Sequence, residues 1–132
     1  MGLPKILLES GLGAIKSAGR TAHEQEAAIR AAKNATVVEQ LKNFAEPGDV
    51  VIAISGSGNS PNVLQAVEYA NSIGCRTIAL SGRDGGRLGP MAQLNLQASH
   101  PHMGRIEDVH MIVLHMIGYY FMDAEKPAAA GV

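Results

Sequence analysis

The chain has no tryptophan and a single cysteine, Cys75, among its 132 residues. One thiol excludes an internal disulfide framework and points to an intracellular, cytoplasmic protein. Aromatic residues make up only 4%, so a core must be built from Ile, Leu, Val, Ala and Met. An excess of one charge is missing too: 11 basic and 12 acidic side chains give a net charge of -1, with no block of like sign. Dedicated nucleic-acid binders show a basic face, so no direct nucleic-acid partner is expected. A small anion is not excluded, because backbone N–H groups can hold phosphate without net charge. The longest apolar stretch, Met111 to Met122, is interrupted by His115 and is too short to span a bilayer. The first residues lack the charged-then-apolar pattern of a signal segment.

What is present is 46% hydrophobic, enough for one compact domain with its own core and too short for two ordinary ones. The expected organisation is a mainly helical segment over 1–45, an α/β core over 46–125 and a frayed tail over 126–132. Ile6-Leu7-Leu8 reads as a short strand or as the start of a helix, and Gly11, Gly13 and Gly19 break either pattern. From Thr21, a candidate N-cap, to about Ala45 the alanine-rich pattern predicts helix with a break near Asn34. Val37, Val38, Leu41 and Phe44 give its second half an apolar face, and Pro47-Gly48 ends it.

Val50-Val51-Ile52-Ala53-Ile54 is a continuous apolar run, as expected of a parallel strand covered on both faces. Ser55 to Ser60 is a turn, and Pro61 suits the first turn of the following helix, which Ile73-Gly74 closes. Cys75, just ahead of the next strand, reads as a small buried apolar residue rather than a nucleophile. Arg76 to Leu80 predicts a second buried strand, Ser81 to Gly86 a second glycine-rich loop, and Leu88 to Ala92 a helical turn. Leu94 to Gln97 alternates as a third strand, and Arg105 to Asp123 is a strongly apolar helix expected to be buried on most sides. The order implies a parallel sheet covered by helices.

Ser55-Gly56-Ser57-Gly58-Asn59-Ser60 carries the chemistry that stands out. A helix N-terminus offers unpaired N–H groups and about half a positive charge. Glycine lets the backbone come close to a ligand, and the three serines add hydroxyl donors for phosphate oxygens. Parallel α/β sheets bind ligands at the carboxyl ends of their strands. The loop lacks the lysine of a Walker A motif, and Pro61 stands where a dinucleotide loop has its third glycine. The simpler reading is a plain turn capped by Ser60.

The stretch 50–64 resembles the sugar isomerase (SIS) domain, and is most similar to phosphoheptose isomerases and their relatives. Thr77 to Gly86 and Arg105 to His110 extend the resemblance over about residues 37–123. It implies a three-layer α/β fold, a parallel sheet flanked by helices (SIS or flavodoxin-like), with a reduced strand number. It also implies that Ser55, Gly56, Ser57, Asn59 and Ser60 bind the phosphate of a sugar phosphate.

On the last helix, Glu107 and His115 lie about 80° apart and Asp108 and His115 about 20° apart. A carboxylate and an imidazole on one side of a helix can share a metal or divide acid and base work. Alternatively, Glu107 and Asp108 favour the helix N-terminus electrostatically and His110 and His115 pack at an interface. The resemblance implies that His115 is an acid/base residue and zinc ligand. It places Glu107 where the family usually has a glutamine on the same metal. His100 and His102, in a His-Pro-His sequence, read as solvated loop residues or a second metal candidate.

The resemblance departs at the N-terminus. The family's earlier strand, its Gly-Asn-Gly-Gly-Ser loop and a helix bearing His and Glu do not appear, and His23, Glu24 and Glu26 are weak substitutes. The expectation is a shortened or rearranged member with one or two strands fewer. Two functions follow from the resemblance. One is an isomerase like D-sedoheptulose 7-phosphate isomerase, interconverting aldose and ketose with one zinc per site. The other is a non-catalytic sugar-phosphate-binding regulator or an oligomeric interaction module, as in relatives that contact the replication initiator. Both imply a homo-oligomer, dimer or tetramer, holding a phosphorylated sugar.

Overall fold

The computed structural model describes residues 22–125. The expectations for Thr21 as N-cap, for Ile6-Leu7-Leu8 and for the 126–132 tail fall outside them. In chain order the elements are α1 (Ala22–Phe44), β1 (Val50–Ser55), α2 (Pro61–Ser72), β2 (Arg76–Gly82), α3 (Leu88–Met91), β3 (Leu94–Ala98) and α4 (Met103–Ala124). The three strands are parallel in the order β1-β2-β3. The expected α/β class and the sequence of elements therefore hold, with three strands among the described residues.

Strand alternation sorts the core into two sides. On one, Ala53 and Ala79 meet Leu64 and Val67 of α2 and Leu88 of α3. On the other, Gly82 lies against Ile106 of α4, which has no exposed surface. Leu80, Leu88, Val67 and Ile106 are fully buried, each worth about 1.5–3 kcal/mol by removal from water. Buried polar groups are paired. The Thr77 hydroxyl donates to Asn71 Oδ1 at 2.8 Å and accepts from the Gln93 N–H, while the Ser81 hydroxyl donates to Asn95 Oδ1 at 2.6 Å. Cys75 is buried, its thiol 3.3 Å from the Glu46 carbonyl, as its reading as a packed residue requires.

Three expectations change. The break near Asn34 is absent: α1 runs unbroken, and the Thr36 hydroxyl donates back to the Ala32 carbonyl within it. Among the described residues, strand β1 is not covered on both faces. Val50 and Ile54 are exposed, because α4, the helix on their side of the sheet, packs on β2 and β3; β1 is an edge strand among the described residues, and an apolar groove of about 500 Å³ runs between it and the Val37, Leu41 and Phe44 face of α1. The apolar stretch 109–122 of α4, expected to be buried on most sides or by self-association, is largely uncovered by the described residues of this one chain. Only Ile106 and His110 are buried, and Val109, Ile112, Met116, Tyr120 and Phe121 are exposed.

Candidate functional site

The carboxyl end of β1 delivers Ser55 into a tight turn. Gly58 N–H donates to the Ser55 carbonyl at 3.0 Å, and Gly58 adopts φ +66°. Ser55 is buried, and its Oγ sits 2.9 Å from Ser60 Oγ and 3.5 Å from Ser57 Oγ. The three hydroxyls thus form one cluster. Asn59 braces the turn: its N–H donates to Ser57 Oγ, its amide donates to the Ser57 carbonyl, and its Oδ1 accepts from Arg87 N–H.

Ser60 is the N-cap residue of α2, but its hydroxyl does not cap the helix. The cap comes instead from its carbonyl, which accepts from Val63 and Leu64 N–H at 3.0 Å. The plain-turn reading assigned that hydroxyl to capping; in the structure it faces Ser55. Among the described residues, the N–H groups of Ser57, Ser60 and Asn62 find no acceptor. The loop therefore gathers three hydroxyls and three donor amides at the positive end of a helix dipole.

The second glycine-rich loop closes over the first. Leu88 N–H donates to the Gly58 carbonyl at 2.9 Å. A Cβ on Gly58 would strike the Gly85 carbonyl, and one on Gly86 would come within 2.6 Å of the Gly58 oxygen. Glycine is required at both positions for close approach as well as for positive φ. Arg83 takes the left-handed region without being glycine, at φ +52°.

His110 is a functional neighbour that the sequence reading placed at an interface. It is instead buried, with Nε2 donating to the Ser81 carbonyl at 2.8 Å, and Ser81 pairs in register with Ser55. It ties α4 to the strand beside the loop. The signal was present: Ile106 and His110, then Val113, Leu114 and Ile117, recur at helical spacing, and these are the buried and half-buried positions of α4.

Glu107, Asp108 and His115 are all exposed. His115 sits beside Tyr119, with ring centroids 6.3 Å apart, in a shallow cavity of about 280 Å³ lined by Leu114, Gly118 and Met122. Eight residues separate Glu107 from His115, about 12 Å along a helix. These two residues would supply at most part of a four-coordinate zinc shell. Among the described residues, no group of three or more His, Cys, Asp or Glu converges to hold a metal. Among the described residues, the donor set does not complete a zinc site. His23, Glu24 and Glu26 lie at the exposed start of α1.

No described helix is long and apolar enough to cross a membrane. In solved structures, the chain is similar to phosphoheptose isomerase from Neisseria gonorrhoeae, with TM-score 0.62 and 28% identity over 86% of this chain and 65% of that one. It is also similar to a phosphoheptose isomerase from Francisella tularensis, with TM-score 0.60 and 28% identity over 63% of this chain and 45% of that one. In sequence, a probable phosphoheptose isomerase from Thermoplasma acidophilum is 45% identical over 78 residues, 59% of this chain and 43% of that protein. The phosphoheptose isomerase of Citrifermentans bemidjiense is 47% identical over 78 residues, 59% of this chain and 41% of that protein. The chain thus spans about two fifths of the length of these curated relatives. A family model described as the SIS domain matches residues 3–82, more than half the sequence. With the parallel sheet and the serine loop at its carboxyl edge, that match makes this chain a member of the SIS domain family.

Proposed function

We propose that this chain binds a phosphorylated sugar through Ser55, Gly56, Ser57, Asn59 and Ser60, as part of an aldose–ketose isomerase acting on a heptose phosphate. The observation that carries the reading is the serine cluster. Ser55, Ser57 and Ser60 turn their hydroxyls toward one another rather than to the helix cap, beside unpaired N–H groups at the start of α2. Charge-assisted hydrogen bonds to a phosphate are about twice as strong as neutral ones, so such a cluster favours a phosphoryl group over a neutral sugar. Similarity to phosphoheptose isomerases of Thermoplasma acidophilum and Citrifermentans bemidjiense supports the substrate class.

In this reading His115 moves the proton between C1 and C2 and Glu107 supports it, a pairing suited to general acid–base catalysis. One zinc per site would need donors beyond Glu107 and His115, supplied by residues outside 22–125 or by a second copy. The exposed face of α4, with Val109, Ile112, Met116 and Tyr120, supports self-association into a dimer or tetramer. A buried lone cysteine fits a cytoplasmic setting.

A second reading is a non-catalytic sugar-phosphate-binding or interaction module. It is favoured by the exposure of Glu107 and His115, which hold no fixed partner geometry around the serine loop. Isomerisation of sedoheptulose 7-phosphate with added zinc, followed by NMR of the sugar, separates the two. Aldose product that disappears in Ser57→Ala supports the isomerase. Ligand line-broadening without product, abolished by the same substitution, supports the binding module.

A further inference from the structure

A second polar constellation lies at the carboxyl ends of β2 and β3, sharing no residue with the serine loop. It centres on His100, whose two ring nitrogens both face donors. The His102 N–H donates to Nδ1 at 2.9 Å. Arg105 Nη1 stands 3.2 Å from Nε2. A neutral imidazole has one N–H and one lone pair, and a guanidinium can only donate. With the Nδ1 lone pair taken by the His102 N–H, the ring proton belongs on Nε2. The Nε2–H then faces Arg105 Nη1, donor to donor, and neither group finds an acceptor in the other. Protonating the ring does not relieve this, since Nδ1–H would then meet the His102 N–H.

His100 links this contact to an open cavity, and Arg105 reaches the cavity's edge through its contact with His100. Arg83, Ser99, His100 and Pro101 line an open cavity of about 570 Å³. Ser99 Oγ accepts from Gln97 Nε2 at 2.9 Å, which leaves its own proton to donate. The Arg83 backbone is fixed beside the cavity, its N–H donating to the Ala98 carbonyl and its carbonyl accepting from Gln97 Nε2 at 2.7 Å. Among the described residues, neither Arg83 nor Arg105 is ion-paired with a carboxylate. Two unpaired guanidiniums, an imidazole N–H and a hydroxyl, all donors, ask for an acceptor with several oxygens and negative charge.

We infer that this pocket is a second oxyanion site, taking a tetrahedral anion of the phosphate class between Arg105, His100 Nε2–H, Ser99 and Arg83. It does not depend on the serine loop, and its occupant is either free phosphate or the phosphoryl group of a sugar phosphate.

The test is an NMR titration of the full chain with inorganic phosphate at constant ionic strength, repeated with sedoheptulose 7-phosphate. The amides of Ser99, His100 and His102 and the side-chain signals of Arg105 should shift saturably. In an Arg83→Gln/Arg105→Gln variant that response should weaken at least about tenfold, the size of a lost charge-assisted pair. Ser57→Ala should leave it intact, which separates this site from the proposed sugar-phosphate loop. A response to inorganic phosphate assigns a free-anion site, and a response to the sugar phosphate alone assigns its phosphoryl group. Long-range proton–nitrogen correlation should find the proton of the neutral His100 ring on Nε2. Signals that do not move with either anion, that move equally in the double variant, or a proton found on Nδ1, would overturn the assignment.

Discussion

The serine loop and the outer half of α4 begin from the same supports and reach opposite ends. Gly82 on β2 touches both: its α-carbon packs against the Gly56 carbonyl and against Ile106. From there the loop turns inward, with Ser55 buried and with Gly58 and Asn59 tied to the neighbouring glycine-rich loop. Helix α4 instead leaves the sheet after His110 and carries Ile112, Met116, Tyr120 and Phe121 at 59–70% exposure. The contrast separates two tasks. The hydroxyls and N–H groups proposed to hold an anion all come from one turn within the described residues. The proposed proton-transfer residue His115 lies instead on the outer part of the helix, exposed beside Tyr119 and, among the described residues, away from the loop.

Substitutions can break that contrast. The largest effect is expected from Ile106→Ala, which removes a fully buried side chain and loosens the root of α4; urea unfolding should record a loss of about 2–5 kcal/mol. Next comes Gly58→Ala. It forces a Cβ into the Gly85 carbonyl at positive φ, and thermal and urea unfolding should show a cost of about 1–3 kcal/mol with the loop's affinity for sugar phosphate lost. Ser57→Ala should weaken sugar-phosphate binding about tenfold in a calorimetric titration, or about 1.4 kcal/mol, while stability moves by no more than about 0.5 kcal/mol. The smallest effect on unfolding is expected for Ile112→Ser, also within about 0.5 kcal/mol. The same variant should shift the sedimentation profile toward monomer, if the exposed face of α4 is a contact between copies. An Ile112→Ser protein as destabilised as Ile106→Ala would show that the outer half of α4 packs within its own chain.

Much of the fold was legible because it is written locally. The runs Val50–Ile54 and Arg76–Leu80 are apolar and bounded by turn residues, and both became parallel strands within a residue or two of expectation. Pro61 marked the start of α2. What was not legible depends on neighbours. The pattern of β1 is that of a strand covered on both faces, but whether Val50 and Ile54 are covered is decided by what stands beside the edge. Likewise α4 has apolar residues on most of its circumference, so although Ile106 and His110 recur at helical spacing, the pattern does not rank that face above the others. At the site, the serines were found from composition and spacing. The contact of Ser55 with Ser60 was not, because it arises from the turn that Gly58 allows. The His100–Arg105 contact escaped for the same reason, since only the return of the chain into α4 brings them together.

The most direct test of the central claim is the affinity of the purified chain for sedoheptulose 7-phosphate, measured by calorimetry beside its Ser57→Ala and Ser55→Ala variants. Saturable binding of the sugar phosphate, weakened about tenfold or more in each variant with unchanged unfolding of Ser57→Ala, is the predicted result. Binding of equal strength in all three proteins would contradict the account, because the phosphate would then be held without the serine loop.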